Sequence, residues 1–254
     1  MMFNANGIKF SYAGKNTLED ITFEVEEGDI VSLLGPNGVG KTTLLKCMDN
    51  ILHPKSGLVE LDKVDLNSMS RNDVAKNIGY VSQRGEVSRM TVFESVLLGR
   101  KPHITIDASE KDLRITSKVI DLVGLNDLSM KYIDEISGGE YQLVQIARVF
   151  VQQPKIILLD EPTSNLDPSN QHAMMHLIQK IVKNNSMAAV MVVHDLNLAV
   201  RHSDKFILMK SGKIYAAGGR EIITPENIKA VYNMDSYVEE IHGIPIIVPK
   251  SYTR

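Results

Sequence analysis

Between Ile30 and Leu45 the chain allows few folds. The run Ile30-Val31-Ser32-Leu33-Leu34 is short and apolar, the pattern of a buried strand. It passes into Gly35-Pro36-Asn37-Gly38-Val39-Gly40-Lys41-Thr42, which fits G-x-x-x-x-G-K-[ST], and the residues from Thr43 read as helix. A strand, a glycine-rich turn and a helix in that order form a phosphate-binding loop. Gly35, Gly38 and Gly40 admit backbone angles closed to other residues and let the chain approach a ligand closely. Converging N–H groups and the helix N-terminus then suit phosphate oxygens. Lys41 would neutralise the β- and γ-phosphates, and the Thr42 hydroxyl would serve Mg²⁺. The expected ATP-binding set runs from Gly35 through Pro36, Asn37, Val39 and Lys41 to Thr43.

Around this loop, periodicity predicts an α/β fold. Residues 8–25 alternate, with a turn signal at Ala13-Gly14-Lys15-Asn16, and read as an antiparallel hairpin. Further strands are expected at Leu58–Leu61, Ile78–Gln83, Ile156–Asp160, Ala188–Val193 and Phe206–Lys210, the last in a hairpin with Ile214–Ala217. From about Thr91 to Val151 the pattern is mostly helical. Ser109 with Asp112 opens one helix, with stripe Leu113, Thr116, Ile120 and Val123, and Ser137 with Glu140 opens another. Asp167-Pro168 starts a helix whose buried face would carry Met174, Leu177, Ile178 and Ile181. Two short strands are expected between Tyr237 and Val248. The class is therefore a P-loop NTPase core with a mainly parallel sheet, an N-terminal antiparallel β subdomain and an inserted helical subdomain. Residues 1–83 and 152–254 would form the ATP-binding core, and 84–151 the helical part.

Charge narrows the function. Lys and Arg number 28 against 31 Asp and Glu, so no basic excess points to nucleic acid as a partner. Cys47 is the single cysteine, which rules out an intrachain disulfide and fits a reducing compartment. The N-terminus lacks a basic stretch followed by an apolar one, so no signal peptide is expected. No apolar run approaches the roughly 18 residues of a membrane span.

The strand ending in Asp160-Glu161 reads as a Walker B strand: Asp160 would hold Mg²⁺, and Glu161 would orient or deprotonate the attacking water. About 120 residues separate Lys41 from Asp160, with the helical stretch inside. There, Ser137-Gly138-Gly139-Glu140 resembles the signature motif of ABC-type ATPases. The resemblance covers nearly the whole chain. Tyr12 matches the family's adenine-stacking aromatic, Gln83 its Q-loop, Ser164-Asn165-Leu166-Asp167 its D-loop and His194 its switch histidine. It implies that Gln83 joins Thr42 and Asp160 at the metal, and that His194 contacts the γ-phosphate and supports Glu161. It also implies two chains sandwiching two nucleotides, with Ser137 to Glu140 of one chain facing the P-loop of the other. On sequence alone the glycines after Ser137 leave that helix terminus bare for the incoming phosphate. Ile136 and Glu140 stand where the family more often has leucine and glutamine.

Thr91 to His103 is similar to ATPase subunits of importers for iron–siderophore complexes, haem and vitamin B12. The partners so implied are a second copy, integral membrane permease subunits and, indirectly, a substrate-binding protein. The implied place is the cytoplasmic face of the membrane, with Arg100 at the permease contact. An exporter ATPase subunit, or an ABC-type ATPase acting in cofactor assembly or translation, is the other reading.

Overall fold

The computed structural model describes residues 1–82, 89–164 and 166–250. β1 (Met2–Tyr12) and β2 (Lys15–Glu26) form an antiparallel hairpin with Tyr12 opposite Lys15, longer at both ends than the alternation predicts. β3 (Ile30–Leu34) is buried throughout and feeds the glycine-rich turn and α1 (Lys41–Met48). β4 (Ser56–Leu61) and the short β5 (Val64–Asp65) follow. Hydrophobic periodicity does not announce α2 (Arg71–Asn77). Its signal is the cap, where the Ser70 hydroxyl accepts from the Asp73 N–H at 3.1 Å. β6 (Ile78–Val81) ends short of Gln83, which lies outside the described residues.

The helical stretch holds α3 (Val92–Leu97), a 3₁₀ segment over Leu98–His103, α4 (Glu110–Leu122) and α5 (Gly138–Phe150). Each α-helix opens on a capping box: Thr91 with Glu94, Ser109 with Asp112, Ser137 with Glu140. Next come β7 (Ile156–Asp160), α6 (Pro168–Asn184), β8 (Ala188–Val192), α7 (Leu196–His202), β9 (Lys205–Lys210) and β10 (Lys213–Gly218). α8 (Pro225–Tyr232) and the hairpin β11 (Ser236–Ile241) with β12 (Ile244–Pro249) finish the described chain. Among the described residues no helix is long and apolar enough to cross a membrane.

The central sheet has six strands in the order β10-β9-β3-β8-β7-β6, and every neighbouring pair is parallel except β10 with β9. A second, antiparallel sheet of four strands runs β2-β1-β4-β5. The two-residue period of a strand divides the central side chains between two cores. Ile30 and Leu34 of β3, with Ile157 and Leu159 of β7, face the core that holds α5 and α6. Val31 and Leu33, with Ile156 and Leu158, face a second core built from α1 and the inner side of the antiparallel sheet, where Phe3, Ile8 and Ile21 sit. Burial on both faces is why these strands read as unbroken apolar runs.

The helical stretch departs from expectation at Arg100. It is 4% exposed, not a contact side chain. Its Nε donates to Asp112 at 2.9 Å, and one Nη donates to the Val151 carbonyl at 3.0 Å and to Gln153 at 3.1 Å. Asp112 therefore points inward, and Leu113, one step round the helix, is turned to solvent instead of joining the predicted stripe. On α6, Met174, Ile178 and Ile181 are buried as expected and Leu177 only partly, while Met175 and Val182 widen the face.

Candidate active site

β3, β7 and β8 lie side by side and run the same way, so the segments leaving their carboxyl ends meet along one rim. From β3 comes the glycine-rich turn. Gly40 has φ 107°, and a Cβ there would stand 2.8 Å from Leu18 Cδ2 and 2.9 Å from the Thr17 carbonyl oxygen. Only glycine lets the turn pass under the β1–β2 hairpin. The Lys41 ammonium donates to the carbonyls of Gly35 at 2.7 Å and Pro36 at 3.0 Å. Burial pulls its pKa below the ordinary lysine value, against the opposing pull of the Glu161 and Asp160 charges.

β7 delivers the two carboxylates. Asp160 is 2% exposed and accepts from the Thr42 hydroxyl at 3.0 Å and the Tyr80 hydroxyl at 3.5 Å. Burial raises its pKa, while the Thr42 hydrogen bond draws it down. Glu161 takes a left-handed backbone, φ 55°, sparsely populated by residues other than glycine. Its N–H donates to the Val192 carbonyl of β8 at 3.2 Å, which fixes the turn against the neighbouring strand. Such strain persists where the surroundings hold it, commonly at functional sites. His194 follows β8, and its Nε2 lies 2.5 Å from Glu161 Oε1.

These groups surround a cavity of about 740 Å³ lined by Asn37 to Thr43, Glu161, His194 and Tyr12. Gly35 and Pro36 stand behind it, holding Lys41. Tyr12 is 49% exposed, so it is not core, and its ring makes a T-shaped contact with that of Phe10 at a centroid distance of 4.8 Å. Lys15, Asn16 and Thr17 of the hairpin tip and Ser211 and Gly212 of the β9–β10 turn also line it. Sequence reasoning reads both stretches only as turns. What joins them is tertiary: the Glu19 N–H donates to the Gly212 carbonyl at 2.8 Å.

Other sequence-predicted residues lie elsewhere. Ser137, Gly138, Gly139 and Glu140 do not line this cavity. The helix terminus they form is closed at Ser137 and Glu140 by the expected capping box, and the two glycines between them place no side chain over it. The Ser137 N–H and hydroxyl both donate to Glu140 Oε2 at 2.7 Å, and the Glu140 N–H donates back at 3.3 Å. The Ser137 hydrogen bonds hold the Glu140 carboxyl below its ordinary pKa. Asp167 caps α6, accepting from the Asn170 N–H at 3.1 Å. Gln83 and Asn165 lie outside the described residues.

Chemically, the rim offers backbone N–H groups and a buried cation for an anion, hard oxygens at Thr42 and Asp160, and a carboxylate oriented by an imidazole. Comparisons with known proteins agree with that content. The profile of the family described as ABC transporter matches residues 18–164. ABC transporter ATP-binding protein MJ0089 of Methanocaldococcus jannaschii, itself uncharacterized, is 52% identical over 98% of each chain. The ferric enterobactin transport ATP-binding protein FepC of Escherichia coli K12 is 34% identical, over 94% of this chain and 91% of FepC. A solved chain from an inward-facing ABC transporter, described as of the metal-chelate type, matches with a TM-score of 0.86 and 28% identity, covering 99% of this chain and 98% of that one. The likeness runs through the whole chain and not only its phosphate loop, and on it the protein belongs to the ABC transporter family, as one of its ATP-binding, ATP-hydrolysing subunits.

Proposed function

We propose that the chain powers uptake of a metal chelate (an iron–siderophore, haem or cobalamin-like complex) through a separate membrane permease. The observation that carries the hydrolytic part is the Glu161–His194 contact at 2.5 Å across the cavity from Lys41 and Thr42. A carboxylate held there can accept a proton from water, and the imidazole keeps it aimed. Thr42 and Asp160 would hold Mg²⁺ alongside phosphate oxygens, with Gln83 as a further ligand. Two oxygens 3.0 Å apart, one of them a carboxylate, are the kind of donor set this ion takes. Bound there, the ion would offset charge on the phosphates.

The rest of the reading concerns partners. Ser137 to Glu140 would meet ATP held by a second copy, and their position outside their own chain's cavity supports this. Asp167 would sit at the same dimer junction. The segment Phe93 to His103, within the helical part 84–151, would dock the permease, and a substrate-binding protein would act on the far side of the membrane. The chain would then sit peripherally on the cytoplasmic face, as the importer relatives suggest.

Glu161→Gln tests the chemistry. It should retain ATP binding and reduce turnover by about 10²-fold or more. Near-normal steady-state hydrolysis would reject Glu161 as the base. Co-purification of a many-helix permease, with ATPase activity stimulated by a metal chelate and its binding protein, tests the transport role. Stimulation by none of the three chelate types would reject it.

A further inference from the structure

A trough lies between the core and the helical stretch, walled by Tyr80 of β6, by α2 and by the 3₁₀ segment. Its first basin, about 750 Å³, is lined by Asp49, His53, Asn67, Arg71, Tyr80 and Gln152 among others. A second basin of about 570 Å³ shares Arg71, Tyr80 and Gln152 and extends to Leu98 and Lys101. A third, about 420 Å³, shares Leu98 and Lys101 and ends at Ile104 and Ile106. Each basin thus shares walls with the next. That third basin is mostly apolar and open, with Leu98 47% and Ile106 89% exposed, and Glu94 and Lys101 also line it. The middle is basic, with Arg71, Lys101 and Arg148. The other end holds a single carboxylate, Asp49.

Asp49 is the C-cap of α1, where its N–H donates to the Leu45 carbonyl at 3.0 Å. A negative side chain at a helix C-terminus opposes the helix dipole. Among the described residues no hydrogen bond or ion pair reaches its carboxylate. Arg71 and His53 share its basin without pairing to it, and the Tyr80 hydroxyl is turned to Asp160. Burial without a partner pushes its acid up to about 7. Asparagine would cap the helix as well and carry no such cost. A half-buried charge left unpaired in a chain alone, but opening into a groove, is matched when a cation arrives from outside.

We propose that Asp49 is the receptor for a lysine or arginine of the permease, carried on a short docking segment whose apolar side chains cover Leu98 and Ile106. This rests on the reading of the trough as the permease face. The charge order of the trough then sets which permease the chain accepts: basic over Asp49, acidic or neutral over Arg71 and Lys101, apolar over Leu98 and Ile106, with Glu94 beside them. Partner choice by charge is ordinary at interfaces, and a buried pair broken on one side weakens binding strongly.

The test uses the co-purifying permease in nanodiscs, titrated with the full chain. Asp49→Asn should weaken binding by about 10-fold or more, and Asp49→Lys should abolish it. Replacing the matching permease Lys or Arg by Asp should restore binding to the Asp49→Lys chain. Equal affinity of Asp49→Asn and the native chain overturns the proposal. Leu98→Asp separates the two levels. If it destroys binding while Asp49→Asn does not, the trough is the docking face but Asp49 is not its receptor. If Leu98→Asp also binds normally, the permease docks elsewhere and both readings fall. A loss of ATP-dependent self-association with permease binding intact would make a second copy the occupant, and also overturns it. The isolated chain supplies a stability readout. Its Asp49 acid lies above the ordinary 3.8, so ionisation costs the folded state as pH rises from about 4 to about 7. Asp49→Asn should therefore melt higher than the native chain above pH 7, with the gap closing toward pH 4. His53, Arg71 and Tyr80 line the same basin in both chains but meet the Asp49 charge only in the native one.

Discussion

At Glu140 one carboxylate does two things. It completes the capping box with Ser137, and it places a negative charge on a helix terminus that the dimer reading assigns to the partner's ATP. The two demands conflict, because the Ser137 hydroxyl and N–H already donate to Glu140 Oε2. Glutamine keeps the box and removes the charge. Glu140→Gln should therefore tighten ATP-dependent self-association by about 3-fold, a small figure because the site is open to solvent and screened. Light scattering of the Glu161→Gln background with ATP and Mg²⁺ would measure it, and unchanged or weaker association would show that the charge does not obstruct the site. Legibility in the sequence follows from the same locality. Lys41, Thr42, Asp160 and Glu161 sit in contiguous strings beside a buried strand, and a string can be read. Asp49 sits at the end of a helix with no pattern around it. Only the fold shows that its carboxylate opens into a groove.

Among the elements, the join between α4, α5 and the 3₁₀ segment depends on two adjacent residues. A Cβ on Gly99 would stand 2.5 Å from Val151 Cγ1 and overlap the Arg148 carbonyl, so the segment lies directly on α5. That closeness buries Arg100 against Asp112, whose acid is held down to about 2 by the Ser109 hydroxyl and the Arg100 guanidinium. Arg100→Leu should lower the melting temperature by roughly 5 °C or more while leaving ATP affinity at the P-loop unchanged, since the pair is remote from that cavity. An unchanged melting curve in scanning calorimetry would show that the buried pair is dispensable. The pairing explains why the sequence misleads here. An arginine twelve residues from its partner, in a stretch of mixed polarity, reads as a surface cation. Most strands and the helices α4, α5 and α6 were legible because their signals are local, as in the alternation of β1 and β2 or the Ser-x-x-Asp opening of α4. Contacts such as the hairpin tip meeting the β9–β10 turn carry no local signal.

For the whole molecule, one P-loop and one signature helix per chain make the dimer an arrangement that can be tested by mixing. Lys41→Ala should lose self-association by losing nucleotide, and Ser137→Arg by blocking the helix terminus. If the signature acts across the dimer, a mixed pair has one site with both lesions and one with neither, so association should partly recover. If each chain completed its own site, every site would carry one lesion and nothing would recover. Two-colour association at matched concentrations, with both variants folded, decides between these outcomes.

The shared direction of β3, β7 and β8 has a consequence for how such a chain can change over time. Lys41, Glu161 and His194, which line the cavity, all follow the carboxyl ends of strands in one sheet, and the amino rim lies away from them. There the chain turns through exposed residues between α6 and β8, around Asn185 and Ser186. A peptide inserted at that turn would sit on the opposite side of the sheet from Glu161 and should leave turnover at its native level. A chain of this fold should therefore tolerate added length along that rim better than along the other.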